Sequence, residues 1–317
     1  MSYAWWGIGY MGYERIHLDK KYRYAYLLAT DRKYMPGVNA TLNALEFYGF
    51  SIDVYVLTIR NWLEEEYKQQ WPDNVNFITM DLSFADQIKG TRGKLADKWF
   101  LRFGTLDFAI QVLLKYYPLV VIEDADVVPL DNFMEWFEII ESSGELAVST
   151  IEFGINELDF SGLKKDWPYP GGWKVPYANC PLFIGPSHVD VLKKDIEYQG
   201  WKDCQLSVMN GLNYAMRDCN IAPMALPGQV WNCANPSEFQ LIWKDQHLYL
   251  GRSSTRIKLL HRAYWNATLC HNYLARHKPE QPQPLGRNKQ IFNRIHNFFN
   301  KDCRVKWEEG VEVWNGI

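Results

Sequence analysis

Apolar and polar positions along the amino-terminal half of the chain repeat in an order of strand-like and helix-like segments. The apolar and aromatic run YRYAYLLAT, at residues 22–30, predicts a first strand. Apolar residues at helical spacing then begin after Pro36 and stop at Gly49, which predicts a helix. The run IDVYVL at 52–57 predicts a second strand. This β-α-β order, with short connections, favours parallel strands joined by a right-handed crossover.

The same order continues into an apolar run that is typical of the centre of a sheet. Residues 76–80 indicate a third strand, and residues 99–116 carry apolar positions at helical spacing. The predicted helix leads into Leu119–Ile122, where every residue is apolar, as expected for a parallel strand buried on both faces. Open α/β sheets bind their ligands at the carboxyl ends of such strands. The residues that follow Ile122 are therefore the first candidates for function.

Three carboxylates, Glu123, Asp124 and Asp126, come directly after this apolar run. Like charges this close repel one another, so a cation is expected nearby. Side chains two residues apart on a strand point the same way, so Asp124 and Asp126 can bind one ion. Mn²⁺ or Mg²⁺ prefers such oxygen ligands and recruits diphosphate oxygens to complete its shell. The alternative is that the acids are solvated at a strand end, with Asp131 and Asn132 capping the next helix.

The composition is that of a folded chain with room for a large core. Its 317 residues are 47% hydrophobic and 22% charged, which suits one large α/β domain or two smaller ones. Aromatic residues make up 15% of the chain, and Trp and Tyr in excess of the core can offer flat apolar faces to sugar rings. A formal net charge of −3 provides no global positive field for nucleic acid or an anionic membrane.

Cysteine usage and the lack of long apolar spans predict a cytoplasmic location. The six cysteines lack the close CxxC pairs of a structural zinc site, so reduced thiols are expected. No apolar stretch of the sequence is long enough to cross a bilayer. The first ten residues, MSYAWWGIGY, also lack the basic start and long apolar middle of a signal peptide.

Two stretches carry a resemblance to a known enzyme family. One consists of KLADKWFLRF followed by YYPLVVIEDADVVPLDNFMEWF. It resembles the core of the metal-dependent GT-A glycosyltransferases, especially the retaining group with glycogenin and the bacterial lipopolysaccharide galactosyltransferases. The earlier stretch YLLATDRKYMPGVNATLNALEFYG is similar to the first strand, turn and helix of that family. The resemblance extends over about residues 22–265 and implies an α/β fold with a mixed, mainly parallel central sheet flanked by helices.

The resemblance implies a uridine pocket at the end of the first strand. In this family the strand and the turn after it line that pocket, which here corresponds to Ala29, Thr30 and Asp31. Tyr34 is expected to stack on the base or to bound it. The structural alternatives are that Asp31 caps a turn and that Tyr34 packs in the core.

The resemblance also implies contacts with the diphosphate and the sugar. Asp124, Ala125 and Asp126 would bind the donor around the cation, and the basic residues Lys94 and Arg102 would lie near its phosphate or sugar. Lys94 and Arg102 are equally compatible with solvated charges at the start of a helix.

The carboxyl-terminal half matches the family at positions near the reacting sugar. Asn179 is expected to contact donor or acceptor hydroxyls, although Cys180-Pro181 replaces the Ser-Gly often found after this asparagine. Asp203 and Gln205 correspond to an Asp-Gln pair near the reacting sugar carbon, with a cysteine interposed here. A turn role for Asn179 and helix capping by Asp203 are the alternatives.

A third ligand for the cation follows from the same resemblance. The segment IKLLHRAYW resembles a strand of the family that ends in a metal-binding histidine, which here is His261. A histidine satisfied within the core is the alternative. The Gly and Lys-Pro-Trp that follow the histidine in the family are missing, and Arg262 is the residue whose charge can replace the lysine.

The pattern divides the chain into three parts. We predict an amino-terminal extension at 1–21, a catalytic domain at 22–270, and a linker with an amphipathic helical tail at 271–317. The tail clusters its apolar residues, which are Ile291, Phe292, Ile295, Phe298 and Phe299. It is expected to dock onto the catalytic domain, and contact with a membrane surface or a polymeric acceptor is the alternative.

The resemblance implies an enzyme that moves a sugar from a nucleotide-sugar donor to a hydroxyl of a carbohydrate or glycoconjugate acceptor. It also implies a UDP-sugar as donor, dependence on Mn²⁺ or Mg²⁺, and retention at the anomeric carbon. A sugar nucleotidyltransferase is the nearest rival, although TDRKYMPG lacks the Gly-rich, basic phosphate loop expected of one. A non-catalytic carbohydrate-binding protein on the same fold is a second alternative.

Overall fold

Between residues 25 and 124, strands and helices alternate along the described part of the chain. In this computed structural model it comprises residues 18–30, 34–59, 63, 65–80, 96–125, 127–151, 177–200, 208–233, 241–250, 254–261, 295, 298 and 299. For residues 36, 59, 65, 66, 96–102, 150, 151, 177–179, 199, 200 and 208–210 the description covers the backbone alone. Within these ranges no helix combines the length and the apolar composition that a membrane crossing needs.

Most of the strands in these ranges belong to one central sheet. The strands are β1 (Ala25–Thr30), β2 (Asp53–Ile59), β3 (Val75–Met80), β4 (Val120–Asp124), β5 (Val127–Pro129), β6 (Ala147–Ile151), β7 (Tyr177–Ile184), β8 (Met224–Pro227), β9 (Leu241–Lys244), β10 (His247–Leu250) and β11 (Leu259–His261). The central sheet has seven strands in the order β3-β2-β1-β4-β7-β6-β8.

The pairing within this sheet confirms the predicted mixed, mainly parallel arrangement. β1 is parallel to β2 and to β4, and β2 is parallel to β3, as the β-α-β order predicts. β8 is parallel to β6 at the other side of the sheet. β7 is antiparallel to both of its neighbours, β4 and β6, so the predicted central strand β4 has one parallel and one antiparallel partner.

Seven α-helices lie in the described ranges; one of them ends where local sequence signals predict, whereas the helix predicted over residues 99–116 ends at Gln111. They are α1 (Met35–Phe47), α2 (Glu65–Lys68), α3 (Ala96–Gln111), α4 (Met134–Ser143), α5 (Val189–Gly200), α6 (Val208–Asp218) and α7 (Gly228–Trp231). α1 has Pro36 in its first turn, where the missing N–H costs no helical hydrogen bond. Just beyond its end, Gly49 has a φ of 69°, in the left-handed region that glycine adopts without strain.

Alternate residues of the central strands enter two separate apolar layers. Leu27 of β1 and Ile122 of β4 pack in the layer that α3, α5 and α6 cover. Leu28 of β1 and Val121 of β4 pack in the opposite layer, which α1 and α4 cover. The side chains of β4 from Val120 to Glu123 are buried, so the prediction of a strand buried on both faces is confirmed.

Two short sheets outside the central one were not predicted. β5 and β11 pair in antiparallel fashion, and β9 and β10 form an antiparallel pair. Each of these strands has three or four residues, which is too short for a period-two pattern to reveal. Together with α1 they enclose a third apolar cluster, which contains Ala44, Leu130, Leu248 and Leu260.

The described residues of the carboxyl-terminal tail pack against this third cluster. Ile295 and Phe299 are buried, and the ring of Phe298 meets that of Phe47 edge to face, with 5.2 Å between the centroids. The side-chain amide of Asn43 in α1 donates to the carbonyl of Phe299 at 2.7 Å. The predicted docking of the tail onto the domain is therefore confirmed for these three residues.

Candidate active site

The carboxyl ends of two neighbouring parallel strands place Asp124 beside Ala29. These two residues lie opposite each other in the register of β1 and β4. Thr30, the next residue of β1, is buried, whereas the side chain of Asp124 is 46% exposed. Ala29 and Thr30, two of the residues predicted for the uridine pocket, therefore lie with the predicted metal ligand Asp124 at one edge of the sheet, where open α/β sheets bind ligands.

His261 reaches the same edge from a distant part of the sequence. β11 pairs with β5, the strand that follows β4, so that His261 lies opposite Val127. The Nε2 atom of His261 lies 3.7 Å from Oδ2 of Asp124. This distance is too long for a hydrogen bond, but both atoms can contact one cation because each would lie only about 2.1 Å from it. Two of the three predicted metal ligands are thus side by side.

A buried hydrogen-bond chain contacts the other nitrogen of the His261 ring. Nδ1 lies 2.5 Å from Oδ1 of Asn232, and Nδ2 of Asn232 donates to the carbonyl of Cys180 at 2.6 Å. The hydroxyl of Ser149 donates to the same carbonyl at 2.9 Å. All four residues are buried. One edge of the imidazole therefore faces Asp124, and the other is held by protein groups.

An irregularity in the central sheet explains why the Cys180 carbonyl accepts from side chains. The register of β6 and β7 shifts between Val148 and Ser149, which leaves Cys180 and Pro181 as extra residues on β7. The two are joined by a cis peptide bond. A buried carbonyl outside the regular ladder needs other donors, and Ser149 and Asn232 supply them. The Cys180-Pro181 pair, which departs from the family pattern, is thus built into the support of His261.

The acid that precedes Asp124 belongs to the buried support of the site. Glu123 is 3% exposed, and its Oε1 accepts the backbone N–H of Asp124 at 3.0 Å. Burial raises the pKa of the Tyr26 hydroxyl well above its usual value, with a further contribution from the negative charge of Glu123. Tyr26 therefore remains a neutral hydroxyl beside the acids. Glu123 fixes the backbone at the predicted metal ligand, a role that was not predicted from the sequence.

Two further residues predicted to contact the donor have structural roles as well. Tyr34 is half-buried, and its carbonyl accepts from the amides of Gly37 and Val38 at 2.9 and 3.3 Å in the first turn of α1. The side chain of Ala125 is 8% exposed and packs in the same layer as Leu28. A contact between Ala125 and a ligand would therefore use its backbone.

Of the two residues considered as helix caps, one accepts a hydrogen bond from the start of α4. Oδ1 of Asn132 accepts the N–H of Met134, the first residue of α4, at 2.9 Å. Asp131 instead accepts from the Nζ atom of Lys258 at 2.7 Å. The cap position itself is Phe133, which makes no side-chain hydrogen bond to the helix, so the prediction of a cap is wrong for Asp131 and Asn132 contacts the helix from the residue before that position.

Several predicted site residues lie outside the described ranges: Asp31, Lys94, Asp126, Asp203, Gln205 and Arg262. Arg102 in α3 and Asn179 in β7 are described by their backbone alone. The roles of all eight remain predictions. Among the residues that the structure describes, no three His, Cys, Asp or Glu side chains form a group that could hold a metal. The predicted set of three ligands includes Asp126, which is not one of them.

Asn232 and Ser149 are part of this arrangement although neither was predicted. Ser149 is a polar residue within the apolar run LAVSTI, and a buried polar residue in a strand is a weak signal for a specific hydrogen bond. Asn232, in QVWNCANP, lies in no motif and no periodic segment. Its role depends on contacts with β7 and β11, which no local pattern encodes.

Solved structures that resemble this chain are glycosyltransferases. The galactosyltransferase LgtC, in complex with donor and acceptor sugar analogues, matches with a TM-score of 0.53 and 14% identity over 86% of this chain and 95% of LgtC. An active-site mutant of LgtC matches with a TM-score of 0.52 and 13% identity over the same shares. The bifunctional glycosyltransferase WbbM matches with a TM-score of 0.51 and 12% identity over 94% of this chain and 52% of the WbbM chain.

No protein-family model matches the sequence, and no curated protein matches it either. At 14% identity or less, the likeness to the solved structures concerns the fold. The mixed, mainly parallel sheet agrees with the fold that the sequence resemblance implied. The chain therefore has the GT-A fold of these glycosyltransferases.

Proposed function

We propose that this protein is a glycosyltransferase that transfers a sugar from a nucleotide diphosphate donor to a hydroxyl of a carbohydrate or glycoconjugate acceptor. The observation that carries the proposal is the meeting of Asp124 with His261 at the carboxyl edge of the sheet, 3.7 Å apart. This places a carboxylate oxygen and an imidazole nitrogen from distant segments of the chain within reach of one cation. The fold and the place of the pair within it both favour a nucleotide-sugar site.

The donor atoms at this edge fit Mn²⁺, and Mg²⁺ is the alternative. Oδ2 of Asp124 would provide an oxygen ligand, which suits Mn²⁺ or Mg²⁺, and Nε2 of His261 would provide the nitrogen ligand that the sequence resemblance implies for this ion. Asp126, two residues after Asp124, is proposed as the third ligand. When bound, the ion would neutralise the negative charge that develops on the diphosphate as the bond to the sugar breaks.

The residues of the chain itself would orient the donor around this point. Glu123 holds the backbone of Asp124 by a hydrogen bond, while the side-chain carboxylate of Asp124 is exposed and open to a ligand. Ala29 lies next to it in the register, so the proposed uridine pocket at Ala29, Thr30, Asp31 and Tyr34 adjoins the proposed diphosphate site. A UDP-sugar is the donor proposed on this basis.

The remaining roles come from the sequence resemblance. Lys94, Arg102 and Arg262 would add positive charge near the phosphates or the sugar, where negative charge needs compensation. Asn179, Asp203 and Gln205 would lie near the reacting sugar carbon and the acceptor. Retention at the anomeric carbon is proposed on the same ground.

The proposal is tested by donor turnover. Purified protein is incubated with Mn²⁺ and a panel of UDP-, GDP- and ADP-sugars, with candidate acceptors and with water alone, and the products are separated by chromatography. We expect release of UDP that stops when EDTA is added. Asp124→Asn should lower turnover by about 100-fold or more because it removes a charged ligand. Asp190→Asn, at an exposed carboxylate paired with Lys193, is the matched control and should retain full turnover.

The other products identify the rival functions. In a parallel reaction with added pyrophosphate, conversion of the nucleotide-sugar into a nucleoside triphosphate and a sugar 1-phosphate would indicate a sugar nucleotidyltransferase. Binding of sugars or nucleotides without turnover of any donor would indicate a non-catalytic binding protein on the same fold. Full activity of Asp124→Asn would refute the site itself.

A further inference from the structure

Asn232 connects the central sheet to the strand that carries His261. Its side chain spans from the Cys180 carbonyl on β7 to the His261 ring on β11, with contacts of 2.6 and 2.5 Å. Asn232 is 6% exposed and His261 is 4% exposed, so water does not compete for these hydrogen bonds. A buried amide with a partner at each end has its orientation set by those partners.

The Cys180 carbonyl determines which way the Asn232 amide points. A carbonyl oxygen only accepts hydrogen bonds, so the atom 2.6 Å from it must be the NH₂ group of Asn232. The amide oxygen then faces Nδ1 of His261 at 2.5 Å. Because that oxygen only accepts, Nδ1 must carry a hydrogen. In the neutral ring the lone pair is consequently on Nε2, the nitrogen 3.7 Å from Asp124.

The backbone on both sides of Asn232 is also fixed. Its own N–H donates to the carbonyl of Gly228 at 2.8 Å, and the N–H of Cys233 donates to that of Leu259 at 3.1 Å. The N–H of His261 in turn donates to the carbonyl of Cys233 at 3.3 Å. The preceding residue, Trp231, is buried. Asn232 therefore lies on a segment bonded directly to the backbone of the histidine that it contacts.

We propose that Asn232 is a positioning residue that holds His261 in the tautomer with its proton on Nδ1, so that Nε2 is presented to a divalent cation shared with Asp124. Outer partners of this kind orient the imidazole and fix the nitrogen that binds. The inference deepens the proposed function, because the cation is part of it. The tautomer itself can be measured without any metal, so this inference can be tested separately from the proposed function.

The tautomer is read from the ring nitrogens of His261 by long-range ¹H–¹⁵N NMR on histidine-labelled, metal-free protein. The chain has seven histidines, and His261→Gln identifies the signals that belong to this residue. We expect a protonated Nδ1 and an unprotonated Nε2 in the unmodified protein. A proton on Nε2 would overturn the proposal whatever any variant does.

Two variants distinguish positioning from general support of the fold. Asn232→Ala removes the acceptor for Nδ1 together with one donor to the Cys180 carbonyl, whereas Ser149→Ala removes the other donor and leaves His261 untouched. Mn²⁺ affinity is measured without nucleotide from the electron paramagnetic resonance signal of the free ion. Asn232→Ala should weaken Mn²⁺ binding by about 10- to 100-fold and lose the fixed tautomer. Ser149→Ala should change neither.

The outcomes assign failure to one proposal or the other. Equal losses of Mn²⁺ affinity in Asn232→Ala and Ser149→Ala, or an unchanged tautomer in Asn232→Ala, would reject the positioning role. If unmodified protein binds no Mn²⁺ but shows the expected tautomer and Asn232→Ala loses it, the metal in the proposed function is wrong and the orientation of His261 by Asn232 stands. If Asn232→Ala does not fold, the tautomer in the unmodified protein decides.

Discussion

Lys258 donates a hydrogen bond to Asp131 across the ends of the small sheet that carries His261. Nζ of Lys258 lies 2.7 Å from Oδ2 of Asp131, and their side chains are only 17% and 8% exposed. Arg256 approaches the other carboxylate oxygen at 3.3 Å. Asp131 follows β5 and Lys258 precedes β11, so this ion pair closes the pair of strands that brings His261 to the active-site edge.

Replacing Asp131 by Asn should destabilise the fold. The change leaves the largely buried Lys258 without its carboxylate, and loss of one partner of such a pair costs about 3 kcal/mol. Urea unfolding measures the change in the free energy of unfolding. Asp190→Asn breaks an exposed pair with Lys193 and should cost less than about 1 kcal/mol. Similar losses in the two variants would contradict the special role of the Asp131 pair.

Mn²⁺ should raise the melting temperature of the protein through His261. A ligand that binds only the folded state at 100 times its Kd stabilises it by about 2.7 kcal/mol, which corresponds to several degrees. EDTA should reverse the shift. In His261→Ala the melting temperatures with and without Mn²⁺ should be equal, because the ion has lost one of its ligands. A full Mn²⁺ shift in that variant would show that the ion binds elsewhere.

Truncation of Phe299 should loosen the tail. The ring is 3% exposed and lies 5.9 Å, centroid to centroid, from both Phe47 and Tyr48. Phe299→Ala should lower the free energy of unfolding by about 3 kcal/mol or make the tail the first site of limited proteolysis. Phe47→Ala, at a ring that is 46% exposed, removes a neighbour of the same cluster and should cost less. An unchanged proteolytic pattern and stability in Phe299→Ala would mean that the tail docks weakly.

Asp107 in α3 should make stability fall between mildly acidic and neutral pH. Burial raises the pKa of this carboxyl to about 6, although a hydrogen bond with Gln111 lowers it in part. The folded state therefore holds this proton more tightly than the unfolded state, in which the pKa of the Asp107 carboxyl is 3.8. The stabilisation from that proton is complete below the unfolded pKa and is lost as the pH rises through about 6.

Asp107→Asn should remove this loss of stability at neutral pH, because the amide keeps a hydrogen bond to Gln111 without carrying charge. At pH 7 the variant should be more stable than the original protein by about 1–2 kcal/mol, after allowance for partial solvation. The advantage should vanish below about pH 4. Urea unfolding across this pH range checks the prediction, and a difference between the two proteins that does not vary with pH would contradict it.

Local patterns in the sequence predicted the part of the fold that follows chain order. The alternation of apolar runs and helical spacing placed β1, α1, β2, β3, α3 and β4 near their observed positions. Pro36 and Gly49 marked the limits of α1 because proline fixes φ at a helical value and glycine adopts positive φ without strain. Asp124 was identified because acids directly after a buried strand are chemically unusual in their own right.

Other features of the site had no local signal. β5, β9 and β10 are short, and they form because their partners are present, while β11 was expected only from the family resemblance. The shift at Cys180 requires β6 to run alongside β7, and the contact of Asn232 with His261 requires both sheets to be assembled. Asp131 resembled a helix cap because caps are local, but Lys258 competes for it from a distant segment.

The amino-acid sequence alone established the β-α-β order, the buried central strand and the acids at its end, since periodicity and charge spacing act between near neighbours in the chain. The pairing of Asp124 with His261, and the chain from Asn232 to Cys180 behind it, arose from folding. These contacts join strands far apart in sequence, and hydrogen bonds of this kind are specified by three-dimensional packing.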